Sequence, residues 1–261
     1  MSLAHNTRAA RSIAMRELRR FFRQKSRVWS TFARPLFWLF VVGPGFGRFF
    51  ARSDGPSYQQ FLFPGVLGIV VLFGSILSAL STVSDRELGS VRAMLIAPIP
   101  RSTIVLGKVM GGALLATLQA LLILLLAPLL SLPLNAAQVF SIVGCLLLTS
   151  IAIASLGMML AARIDSLENF SAIMNFVIFP MFFLSGGLYP VKLLPEPLRI
   201  LVSLNPLTYG IDLFKHVLLN AAEFPPVLDV AVLLIVSAIA AAGATLLFDK
   251  ESKLMRAAKV R

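Results

Sequence analysis

Charge is what this chain has least of. Charged side chains make up 14% of its residues, against about 25% in soluble domains, and none occurs in the 54 residues from Val109 to Ala162. No soluble fold tolerates such a run. A hydrocarbon layer of about 30 Å is crossed by about 20 apolar helical residues, so the run is long enough to cross twice. The polar, proline-bearing break at Ser131, Pro133, Asn135 and Gln138 marks the turn. Cysteine is nearly absent too: Cys145 alone excludes an intrachain disulfide or a thiolate metal site. His5 and His216 are far apart and isolated, and neither makes a metal site. Both lie outside the apolar runs, so a nucleophile at membrane depth lacks the base an intramembrane protease or acyltransferase needs. A phosphate-binding Gly-x-x-x-x-Gly-Lys-Ser/Thr loop is missing as well, since Gly107-Lys108 is followed by Val109 and lacks the earlier glycine.

Apolar residues are what the chain has most of, 57% of the total, with a mean hydropathy of +0.85. One helical membrane domain over 1–261 is the economical reading. Charge-free windows predict spans over about 28–48, 59–84, 103–131, 138–162, 168–187 and 227–248, the first interrupted by Arg34, which is expected to snorkel to the interface. Six spans put both termini on one side. Of the 24 basic residues, 19 fall on the side of the termini, which identifies it as cytoplasmic. The inner face then carries the whole net charge of +12. Basic charge here reports topology and anionic membrane lipid, and no nucleic-acid partner is expected. The first 27 residues are basic without a small-residue cleavage site, so a cleavable leader is not expected. Within 1–27, Ile13, Ala14, Leu18, Phe21 and Phe22 recur at helical spacing, predicting an interfacial amphipathic helix.

Two connections stand out. The first, 85–97, opens with Asp85, Arg86 and Glu87, continues with Val91, Met94 and Leu95 at helical spacing, and is stopped by Pro98 and Pro100, with Ser102 or Thr103 able to cap the next helix. It predicts a short cytoplasmic amphipathic helix suited to transmitting force. The second, 188–205 with its flanks, is broken by Gly186, Gly187, Pro190, Pro195, Pro197 and Pro206. Its apolar stretches are too short to cross, and irregular backbone at membrane depth needs protein or water to satisfy it. Short helices dipping back into the outer leaflet are expected.

The basic amphipathic N-terminus, the stretch from Glu87 to Leu95 followed by Pro98 and Arg101, and the paired segments Leu184–Pro190 and Asn205–Tyr209 together resemble the permease subunits of ABC-2 type exporters, which include drug-export and lipo-oligosaccharide or polysaccharide-export permeases. The resemblance covers almost the whole chain. It implies an all-α integral membrane fold of six transmembrane helices with an N-terminal interfacial helix, a cytoplasmic coupling helix at 85–97 and an outer re-entrant hairpin at 188–205. Asp85, Arg86, Glu87, Gly89, Arg92, Met94 and Leu95 would then dock on an ATPase, and Gly186, Gly187, Tyr189, Pro190, Asn205 and Pro206 would shape the re-entrant segment. It implies a permease without its own ATP site, binding no cofactor itself. ATP and Mg would be used by two copies of a separate ATPase, alongside a second permease copy in a bacterial inner membrane. The cargo expected is amphiphilic or lipid-linked.

Other residues carry smaller expectations. Phe176, Phe179 and Phe183 share one face of the fifth span and could line a path at a dimer seam, or simply pack. Gly43-Pro44-Gly45 should break the outer end of the first span. Gly111-Gly112 permits close helix contact. Asp165 and Glu168 should complement the dipole at the start of the fifth span, and Asp212 and Lys215 should pair at the surface. A secondary transporter is opposed by the lack of charge deep in spans two to six. A scaffold that only recruits partners stays open.

Overall fold

The computed structural model describes residues 3–23, 32–47, 57–89 and 99–258, with side chains for 5–23, 32–47, 57–89 and 99–248. The described elements are all helical. They are α1 Leu3–Arg23, α2 Phe32–Gly47, α3 Tyr58–Glu87, α4 Arg101–Leu124, α5 Ala136–Ala161, α6 Leu167–Phe183, α7 Glu196–Leu204, α8 Pro206–Leu219 and α9 Pro226–Ala258, with 3-10 turns at Ala127–Leu130 and Val191–Leu193. Helices α3, α4, α5 and the Pro226–Phe248 part of α9 are long and apolar enough to cross a membrane. The expected first and fifth spans are the shorter apolar helices α2 and α6. The 17 residues of α6 rise only about 25 Å, less than a bilayer core of about 30 Å, because the chain leaves the helix at Leu184 and turns at Gly186, whose φ is +70°.

Hydropathy does not distinguish the central helix from the peripheral one, but packing does. The most apolar window of α3 is 83% buried within the protein, whereas that of α9 is 17% buried. Helix α3 lies among α4, α5, α6 and α8, and Phe63, Leu67 and Leu72 along it are sealed from any solvent. The turn expected inside the long uncharged run forms as a 3-10 turn closed by Ser131 in the left-handed region at φ 55°. Asn135 and Gln138 then cap α5 reciprocally, a capping box that satisfies two otherwise orphaned N–H groups.

Helix α2 departs from expectation at its Gly43-Pro44-Gly45 end. Pro44 has no N–H to offer the preceding turn, and its ring crowds the carbonyl there. The helix widens into a π-helical stretch over Trp38–Val42, with the Gly43 N–H bonded to the Trp38 carbonyl, and continues helically through Gly47. Arg34, an exposed residue near the start of the helix, reaches towards α3. Its guanidinium lies 3.6 Å over the Phe73 ring, and Phe73 sits midway along α3, about 21 Å of helical rise from Glu87.

The N-terminal helix is fastened to protein along one stripe. It packs along α4, where a Cβ on Gly107 would stand 3.0 Å from the Ala10 carbonyl oxygen and one on Gly111 would stand 3.1 Å from the Ala14 Cα. Those two glycines let the backbones approach. Ala14, Glu17 and Phe21 are consequently buried, while Arg8, Arg11, Arg19 and Arg23 stay exposed. Helix α4 starts after Pro100, with no side-chain cap. Ser102 and Thr103 therefore lie within its first turn, and the expected hydroxyl cap does not form.

Candidate functional site

Helix α3 finishes in Asp85, Arg86 and Glu87. Successive helical side chains are turned by about 100°, so the three point to different neighbours. Asp85 is buried and faces α1 and α4: its carboxylate accepts from Lys108 Nζ at 2.5 Å, from Arg16 at 2.9 Å and from Arg20 at 3.1 Å. Lys108 also donates to Glu17 at 3.0 Å, and the Ser81 hydroxyl donates to the other Glu17 oxygen at 2.7 Å. Lys108 is 3% exposed and Glu17 5%, so these are charges removed from solvent, tolerable because each is paired and hydrogen-bonded.

Arg86 turns to the far end of α5. Its guanidinium donates to the carbonyls of Ala161, Ala162 and Ile164 at 2.9, 3.2 and 2.7 Å, groups a helix C-terminus otherwise leaves orphaned, and Asp165 stands 3.6 Å away. Glu87 accepts the Leu167 N–H at 2.7 Å, next to Ser166, whose hydroxyl caps α6 at the Asn169 N–H. The start of α6 is thus capped by Ser166 and by Glu87 from another helix, while Asp165, which the sequence suggests for that role, is largely exposed and pairs with Arg86. Three consecutive side chains tie one end of α3 to α1, α4, α5 and α6. Gly89, in the left-handed region at φ +72°, ends the helix. Because α3 runs through Glu87, the first three residues of the expected 85–97 helix belong to its last turn. Arg92, Met94 and Leu95 lie outside the described residues.

At the other end of α3 the glycine- and proline-rich stretch is pinned by backbone bonding. Gly187 meets Gly65 of α3 backbone to backbone, so closely that a Cβ on Gly65 would stand 2.4 Å from the Gly187 carbonyl oxygen. Asn205 does two jobs. Its amide nitrogen donates to the carbonyls of Met181 and Leu184 at 2.6 and 3.0 Å, and its oxygen accepts the Leu207 N–H at 3.1 Å, capping α8 just before Pro206 at N1. The Tyr189 hydroxyl donates to the Phe183 carbonyl, and Pro190 caps the short 3-10 turn. The expected 188–205 segment comprises that turn and the surface helix α7. The longer α8 then packs back between α3, α5 and α9.

Asp212 and Lys215 do not form a surface pair. Both are buried. Asp212 accepts the N–H groups of Glu223 and Phe224, and Lys215 donates to the Gly186 carbonyl at 2.7 Å while lying over Phe61. Burial pulls the Lys215 ammonium below its ordinary range, against the nearby Asp212 and Glu223 charges. Phe176, Phe179 and Phe183 share an exposed face of α6, while Phe182 on the opposite side is buried edge-on against Trp38. Sequence reasoning missed Lys108 as the partner shared by Asp85 and Glu17. The available signal was a lone acidic residue on the apolar face of α1 and a lysine between the small residues Gly107 and Gly111.

A bundle of long apolar helices with short helices folded back at one end is an integral membrane architecture. The chain belongs to the ABC-2 type transporter family, whose profile matches residues 8–219. It is similar to Nodulation protein J of Rhizobium leguminosarum bv. viciae, 30% identical over 190 residues that cover 72% of this chain and 73% of that protein. It is also similar to the inner membrane transport permease YadH of Escherichia coli K12, 25% identical over 233 residues, covering 87% and 89%. A third relative is the transport permease ycf38 of Cyanophora paradoxa, 29% identical over 191 residues, covering 70% and 66%.

Proposed function

We propose that this chain is the permease subunit of an ATP-driven exporter that moves an amphiphilic or lipid-linked cargo out of the cytoplasm or inner leaflet of a bacterial inner membrane. The observation that carries the reading is the hub at the end of α3. A push on the connection after Glu87 reaches α1, α4, α5 and α6 through Asp85, Arg86 and Glu87, so motion of a docked engine becomes motion of the bundle rather than of one loop. Asp85, Arg86 and Glu87 then hold the coupling segment in place, and Arg92, Met94 and Leu95 form its contact with the partner. Two ATPase copies supply ATP and Mg chemistry, and both permease termini face them in the cytoplasm. A second permease copy meets this one across the exposed Phe176, Phe179 and Phe183 face, an apolar patch of the kind that marks interaction surfaces.

The test is affinity purification of the tagged chain from its native membrane in mild detergent, with mass spectrometry of what co-purifies. A stoichiometric P-loop ATPase is expected, and it should be lost in Glu87→Arg while the permease stays folded. A folded, dimeric wild-type preparation without any P-loop partner would overturn the reading in favour of a secondary transporter or a recruiting scaffold.

A further inference from the structure

Between α2, α3, α4 and α6 lies a cavity of about 320 Å³, at the lower end of the range of small-ligand sites. A narrower extension of about 160 Å³ runs past Arg34 towards Trp38 and Phe182. Its walls are mostly apolar, with Phe73, Phe170 and Met174 prominent, but four polar residues line it: Arg34, Gln119, Asn175 and Ser171, whose hydroxyl already donates to the Leu167 carbonyl. Gln119 is buried, and among the described residues neither its amide nitrogen nor its amide oxygen has a hydrogen-bond partner. Gly74 makes room for that amide, since a Cβ there would stand 2.6 Å from Gln119 Oε1. Among the described residues no acidic side chain lines the cavity, and the contact found there for the Arg34 guanidinium is the face of Phe73.

An arginine midway along a spanning helix bundle is costly unless something answers its charge. A ring face answers part of it. A phosphate or carboxylate would answer the rest, because the guanidinium fork matches either group bidentately, and the Gln119 amide can donate to the same anion. The apolar walls and the extension towards Trp38 suit a hydrocarbon tail. We infer that this cavity binds the anionic head of an amphiphile, phosphate or carboxylate, with its chain laid along α2 and α6. The inference builds on the export reading above by specifying the charge and shape of what is carried or held.

Binding can be measured without any ATPase, so failure here leaves the export reading standing, and loss of the ATPase leaves this site standing. The chain contains two tryptophans, and Trp29→Phe leaves Trp38 as the reporter. The full chain in phosphatidylcholine nanodiscs is titrated with dodecyl phosphate, with dodecyl maltoside as the uncharged tail and inorganic phosphate as the headgroup alone. A saturable change in Trp38 fluorescence is expected with dodecyl phosphate only. It should weaken at least tenfold in Arg34→Gln and in Gln119→Leu, and stay within a few-fold in Arg34→Lys. Helix content and monodispersity confirm that each variant is folded. Repeating the titration with phosphatidylglycerol in the disc identifies the source: competition marks a resident membrane lipid, and no competition marks a cargo amphiphile. An unchanged titration in Arg34→Gln, an equal response to dodecyl maltoside, or saturation by inorganic phosphate alone would each overturn the proposal.

Discussion

Lys108 is the buried cation that bridges the Asp85 and Glu17 carboxylates, and Lys108→Met tests how much the docking of α1 depends on it. The substitution keeps the length of the side chain and removes its charge. Asp85 retains Arg16 at 2.9 Å and Arg20 at 3.1 Å. Glu17 retains the Ser81 hydroxyl and, at 3.6 Å, an Arg16 whose side chain is 47% exposed. Breaking a buried pair costs about 3–5 kcal/mol because one charge is left uncompensated. The half-exposed Arg16 places this case near 3 kcal/mol, which at about 1.4 kcal/mol per decade is roughly a 150-fold rise in the undocked population of α1. Helix α1 carries Arg8, Arg11, Arg16, Arg19, Arg20 and Arg23, a ladder of trypsin sites, and cleavage follows the open population when opening and closing are fast. Trypsinolysis in detergent, read by intact mass, should therefore show the N-terminal cuts accelerated by one to two orders of magnitude in Lys108→Met. Glu17→Gln combined with Lys108→Met removes both members of the pair, leaves the Ser81 contact possible and should return the rate to within about tenfold of wild type. Equal rates in Lys108→Met and wild type, or no recovery in the double variant, would refute the claim that this cation fastens α1 to the bundle.

Gly65→Ala places a Cβ against the backbone of Gly187 and should lower the thermal midpoint of the detergent-solubilised protein by the equivalent of about 1–3 kcal/mol, the usual cost of overpacking. Gly144→Ala, where a Cβ meets nothing within 4 Å, should be neutral or slightly stabilising, and matching midpoints for the two variants would count against a rigid backbone contact. In a Cys145→Ser background, Ser203→Cys on α7 should react with a membrane-impermeant maleimide applied to intact cells, whereas Ser12→Cys on α1 should react only after lysis. The reverse pattern would invert the proposed orientation.

Much of the helical architecture was legible because a hydrocarbon solvent imposes simple rules on a chain: long uncharged runs become helices, and Asn135 with Gln138 announces where one begins. The span lengths were less legible, since charge-free windows do not register where a helix unwinds, as α6 does before Gly186. The candidate site was legible only as segments. That the end of α3 and the glycine-rich stretch matter can be read from their composition. The distant partners of Asp85, Glu87 and Asn205 cannot, because they lie 21 to 80 positions away in the chain. Asp212 and Lys215 show the same limit: helical spacing suggested a pair, but burial turned each towards backbone groups that needed satisfying more than the two side chains needed each other.

The sequence by itself determined that this protein lives in a membrane, that it is helical, that its charge is gathered at the arginine-rich end of the bundle, and that it resembles the family to which it belongs. All of these follow from composition and local periodicity, which act on each segment separately. Only the tertiary structure decided that α3 is the central helix and α9 the peripheral one, that Lys108 and Glu17 are interior charges, and that Arg34 faces a cavity beside Gln119. Those outcomes depend on which apolar faces meet. Where lipid and protein are equally apolar, small residues such as Gly65 and Gly107 and the need to satisfy every buried polar group settle the packing, and those constraints exist only between segments.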